Sequence, residues 1–136
     1  MGGRAMNPES RAHRSFRGIP RFKFLDENEA ERVAGRFSLH PEDKLPFGIY
    51  EESTQSILMS RSSLYVKRGG SELVRIPFDS MTKTVGPATK ETTEIEIHTR
   101  DGQVELLNIS GGHGRFKDVF SFQHFLIRVL EDCGCR

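Results

Sequence analysis

A glycine-rich stretch, Gly111-Gly112-His113-Gly114-Arg115-Phe116-Lys117, stands directly ahead of an apolar, helix-forming segment. Backbone N–H groups at a helix start can hold an anion, and Arg115 and Lys117 would add positive charge. Gly112, His113, Gly114, Arg115 and Lys117 are therefore the first candidate site for an anion or small ligand. It is not a P-loop, because the closing Lys-Ser or Lys-Thr is absent. The plainer reading is a sharp turn from strand into helix, for which glycine supplies the freedom.

Arg61, Lys67, Arg68 and Arg75 form a second candidate set, for contact with a membrane or a partner. Lys67 and Arg68 precede Gly69-Gly70, so they would sit at a hairpin tip. The plainer reading is charge that guards strand edges. A third set is the basic stretch up to Leu25, with Arg4, Arg11, Arg14, Arg17, Arg21 and Lys23 against Glu9. Basic and aromatic residues together can bind phosphates and bases, but no nucleic-acid motif accompanies them.

Other chemistry finds little support. His113, His124, Cys133 and Cys135 are the only clustered soft ligands, and the cysteines lie past the helix that carries His124. Ser110, Ser121 and Asp118 flank His113, but a triad is a spatial arrangement and sequence neighbours seldom make one. The sequence therefore implies a protein that is not an enzyme and needs no cofactor or metal.

The bulk properties agree. The chain has 136 residues, the size of one domain, and 20 basic against 19 acidic residues leave a charge of +1. No overall field draws it to nucleic acid. No apolar run is long enough to span a bilayer, and the first residues lack the apolar core of a secretory signal. Cys133 and Cys135 are too close together for an unstrained mutual bridge. A cytoplasmic location with reduced thiols is the expectation.

The elements that must position these residues follow from periodicity. Residues 1–25 show no period and read as a flexible tail. Asp26 and Glu29 form a capping box, and Ala30, Val33, Ala34 and Phe37 recur at helical spacing. A helix is expected over 26–37, ended by His40-Pro41. Strands are expected over 47–110, with turns at Ser53-Thr54, Arg61-Ser62, Gly69-Gly70 and Gly86-Pro87. Asp101-Gly102 predicts a two-residue type I′ hairpin. That turn places Val104 and Leu106 on the same face as Ile95 and Ile97, with a bulge before Leu107. A final helix is expected over 117–132, with Val119, Phe122, Phe125, Leu126, Val129 and Leu130 in one apolar stripe.

Several stretches carry a family resemblance: Ser56-Ile57-Leu58-Met59-Ser60, Ser63-Leu64-Tyr65-Val66, Ile76-Pro77-Phe78-Asp79-Ser80-Met81 and Ile95 to Gly102, with the closing Phe-rich helix. Together, residues 47–131 resemble the bacterial PH-like and GRAM-like branch of the pleckstrin-homology superfold. The resemblance implies a mainly β, α+β fold. Seven antiparallel strands would curve into a barrel, a C-terminal helix would close one mouth, and the helix at 26–37 would be an extra. Residues 26–136 would be one domain. The first hairpin, Glu51-Glu52-Ser53-Thr54-Gln55, is acidic where phosphoinositide-binding members are basic.

The expected function is a binding or assembly module that contacts a protein partner or a second copy through sheet edges. Anionic lipid, held by the tail and the Lys67–Arg68 tip, is the alternative, and a small enzyme is the third. Nucleic acid is the disfavoured partner.

Overall fold

The computed structural model describes residues 8–19, 21–43, 45–52, 55–69, 73–86, 93–111 and 118–133. The fold is α+β, with a five-stranded and a three-stranded antiparallel sheet among the described residues. No single seven-stranded sheet and no closed barrel is formed by them. The chain divides into two compact units, Gly18–Pro77 and a second built from Met1–Arg17 with Phe78–Arg136.

The Gly18–Pro77 unit holds strands β1 (Phe22–Phe24), β2 (Gly48–Glu51), β3 (Gln55–Met59), β4 (Ser63–Arg68) and β5 (Val74–Pro77), paired in chain order. Helix α2 (Glu27–Arg36) lies between β1 and β2 in sequence. Its capping box is complete: Asp26 accepts from the Glu29 N–H, and Glu29 accepts from the Asp26 N–H. Val33 and Phe37, from α2 and its C-cap, pack on Ile49, Leu58 and Tyr65 of the sheet. The opposite face, with Tyr50, Ile57, Met59, Leu64 and Val66, is buried as well. Burial on both faces explains the unbroken apolar run Ile57-Leu58-Met59.

The stretch read as a tail carries structure. Strand β1 pairs with β2, setting Phe22 opposite Tyr50 and Phe24 opposite Gly48. A Cβ at Gly48 would come within 2.5 Å of the Phe22 ring, so only glycine admits that ring. Helix α1 (Pro8–Ser15) belongs to the other unit. It buries little beyond Pro8 and Ala12, which leaves it no apolar stripe to betray it in sequence. A tertiary ion pair holds it: Arg11 binds Asp132 through two bonds, at 2.7 and 2.9 Å.

In the same unit, β6 (Met81–Val85), β7 (Glu94–Thr99) and β8 (Val104–Asn108) form the second sheet. Helix α3 (Asp118–Cys133) packs on β6, β7, the 3-10 turn Phe78–Ser80 and α1. Its stripe of Val119, Phe122, Phe125, Leu126, Val129 and Leu130 is buried. Phe122 and Phe125 meet Phe16 with ring centroids 4.7 and 5.3 Å apart. Phe122 and Phe125 of α3 are thus core, shared with a residue of the supposed tail, while Phe120 is half-buried.

The last hairpin departs from the type I′ expectation. Gly102 has φ +86, but no other residue of the turn has positive φ. A type I′ turn requires positive φ at both central residues. The turn instead has three residues, Arg100–Gly102, with Thr99 paired to Gln103 and Gly102 N–H donating to Thr99 O at 3.0 Å. One extra loop residue shifts the register by one, and a shift by one turns every side chain to the other face. Ile95 and Ile97 now oppose Leu107 and Glu105. Val104 and Leu106 point outward, and no bulge interrupts β8 between Leu106 and Leu107.

Candidate functional site

Gly112, His113, Gly114, Arg115 and Lys117 lie outside the described residues. Gly111 next to them is buried, and its carbonyl accepts the Asp118 N–H at 3.0 Å, which ties Gly111 to the start of α3. Among the described residues no group of three His, Cys, Asp or Glu converges as a metal site.

The four basic residues of the second set do not form one patch. Ser60 and Ser63 close the β3–β4 turn, which holds Arg61, whereas Lys67 and Arg68 pair with Ser56 and Gln55 at the far end of the hairpin. Those ends are roughly 17 Å apart. Lys67 lies over the Phe37 ring, 5.8 Å from its centroid, with the Arg36 guanidinium 5.4 Å from the same ring.

Arg75 is engaged elsewhere. Its Nε donates to Asp43 Oδ2 at 3.0 Å. The Asp43 side chain is fully buried. It also accepts from Ser60 Oγ at 2.5 Å, from Tyr65 Oη at 2.6 Å and from Ser62 Oγ. Burial opposes ionisation of Asp43, but hydrogen bonds from Ser60, Ser62, Tyr65 and Arg75 outweigh it and hold the pKa at about 2. Burial also works against the Arg75 charge, and the bond to Asp43 overrides it, raising that pKa. The Tyr65 hydroxyl is pushed up, first by burial and then by Asp43. Such a carboxylate is a poor general base, being strongly acidic and fully engaged. It knots the turn before β2 to the β3–β4 turn and β5.

The second sheet presents a different kind of surface. Cross-strand pairing sets Val85, Glu96 and Leu106 in one row and Lys83, His98 and Val104 in the next. Val85, Val104 and Leu106 are 40%, 48% and 44% exposed, so this face is open. Glu96 and His98 contact each other at 3.0 Å between the aliphatic residues.

The edge of the sheet coincides with that face. Thr99 N–H donates to Gln103 O, and Ile109 N–H donates to Thr93 O. Bonded residues alternate along an antiparallel ladder. Gln103, Glu105, Leu107 and Ile109 therefore turn their backbone groups to β7, while Val104 and Leu106 turn theirs away. The same two residues thus offer an outward N–H and C=O and an exposed aliphatic side chain. Natural sheets usually guard their edges with lysine or proline. Strand β1 carries Lys23, β5 carries Arg75 and Pro77, and β6 carries an exposed Lys83. Strand β8, Val-Glu-Leu-Leu-Asn, carries no basic residue and no proline.

No family model matches the chain, and no curated protein matches it. Among solved structures it is similar to the C-terminal domain of an unknown protein from Leishmania infantum. The identity is 13% and the TM-score 0.42, over 91% of this chain and 99% of that one. A likeness at that level assigns neither fold nor function.

Proposed function

We propose that this protein is a non-catalytic binding and assembly module that captures an extended segment by strand addition at the β8 edge. The supporting observation is the coincidence at Val104 and Leu106 of outward backbone groups with exposed aliphatic side chains, on an edge without lysine or proline. Backbone bonds would supply affinity, and alternate side chains of the added strand would supply selectivity. Glu105 is the only charge on β8 and lies on the face of Ile95 and Ile97, so the outward side chains Val104 and Leu106 of β8 are both apolar.

Selection from a displayed library of extended peptides tests this reading. Peptides recovered on the immobilised chain should carry apolar residues at alternate positions. Val104→Lys with Leu106→Lys should weaken their binding at least about tenfold, the size of a lost cross-strand apolar pair and its bonds. Peptides that are acidic and depend on Lys67 or Arg61 instead would contradict it.

We also propose a pleckstrin-homology-like arrangement of the elements. Antiparallel hairpins in chain order, followed by an amphipathic C-terminal helix with a buried stripe, support it. A crystal structure with the two sheets failing to curl together would count against it.

A further inference from the structure

We propose that the groove between helix α2 and strands β1 and β2 binds a small organic monoanion, an apolar body that ends in one carboxylate. The groove lies wholly within the Gly18–Pro77 unit, whereas β8 belongs to the other. The site is therefore additional to strand addition and does not rest on it.

Two periods build the groove. Glu29, Val33 and Arg36 recur at helical spacing and share one face of α2, with Arg32 beside Val33. Lys23 pairs across the ladder with Ile49, which puts both side chains on one face of the sheet. Glu51 lies two residues beyond Ile49 and takes the same face. Leu25, Val33 and Ile49, which pack together, supply an apolar floor. Ion pairs span from sheet to helix toward either end of α2. Lys23 Nζ lies 2.7 Å from Glu29 Oε2, and Arg36 lies 3.4 Å from Glu51. The groove encloses about 270 Å³, at the small end of ligand sites.

Charge selects the ligand. The groove is lined by three cations, Lys23, Arg32 and Arg36, and two carboxylates, Glu29 and Glu51, an excess of one positive charge. Glu29 is engaged on both oxygens, by Lys23 and by the Asp26 N–H. Glu51 has Arg36. No hydrogen bond or ion pair among the described residues engages Arg32, so its guanidinium is the cation left for a ligand. That planar fork matches a carboxylate through two bonds. A dianionic phosphate would exceed the surplus and meet repulsion from Glu29 and Glu51. An apolar body gains by covering the floor of Leu25, Val33 and Ile49.

Backbone amide chemical shifts of the full chain, titrated with hexanoate, acetate, hexanol and hexyl phosphate, test the site. Hexanoate should move the Val33, Arg36 and Ile49 signals and saturate. Acetate lacks the body and hexanol lacks the charge, so each should bind at least about tenfold more weakly. Hexyl phosphate should bind no more tightly than hexanoate. Arg32 is exposed, so Arg32→Gln leaves the core intact. It should weaken hexanoate at least about tenfold, the scale of one lost charge-assisted pair, and leave hexanol unchanged. Equal affinity for hexanoate and hexanol, tighter binding of hexyl phosphate, or hexanoate binding undiminished by Arg32→Gln would each overturn the proposal.

Discussion

Removing the charge of Asp43 would leave Arg75 and Tyr65 pointing at a weaker acceptor while still largely buried. Asp43→Asn should therefore lower stability by about 2–3 kcal/mol in chemical denaturation, because a buried partner is stranded. The same residue sets an acid limit. Its pKa is about 2 in the folded chain and about 3.9 when unfolded. A depressed folded pKa means that the stabilisation is fully present above the unfolded value. It is lost as pH falls from about 4 through 2, and amounts to about 2–3 kcal/mol. Denaturation midpoints across that pH range should fall more steeply for the unsubstituted chain than for Asp43→Asn, and parallel profiles would refute the assignment. None of this was legible in the sequence. Asp43 donates nothing to a periodic pattern, and its partners Ser60, Ser62, Tyr65 and Arg75 come together only once β3, β4 and β5 have paired.

At the scale of elements, legibility followed the strength of local signals. The capping box at Asp26 and the wide stripe of α3 are local and periodic, and both can be read directly. Helix α1 and strand β1 are short and specified by distant groups: Asp132 for Arg11, and Gly48 for Phe22. Single-sequence periodicity does not detect such elements. The hairpin of β7 and β8 is the instructive miss. Asp101-Gly102 signals a turn correctly, but the type of turn decides the phase, and the phase decides which face Val104 and Leu106 take. With a two-residue turn they would be core; with the three-residue turn they are the surface proposed to bind. Gly102 holds that turn in the left-handed region with nothing near its Cα that a methyl would strike. Gly102→Ala should thus cost about 1 kcal/mol, from backbone strain alone. Thermal unfolding measures this, and an unchanged or raised midpoint would show that the turn is not specified as described.

For the molecule as a whole, composition excludes more than it assigns. A charge of +1 offers no general attraction to nucleic acid. Among the described residues no helix is long and apolar enough to cross a membrane. The basic residues of the anticipated contact patch are dispersed: Arg75 is consumed by Asp43, and Lys67 lies at the opposite end of its hairpin from Arg61. What remains is an open face on which Val85, Val104 and Leu106 are exposed around Glu96 and His98, ending on an edge without lysine or proline. Backbone amide hydrogen exchange, followed residue by residue as a selected extended peptide is added, tests this most directly. Val104 and Leu106 should gain protection of about tenfold or more when the peptide binds, while Glu105 and Leu107, already bonded to β7, should change little. Protection that stays flat at Val104 and Leu106, or that appears at β1, β5 or β6 instead, would contradict the assignment of β8 as the docking edge.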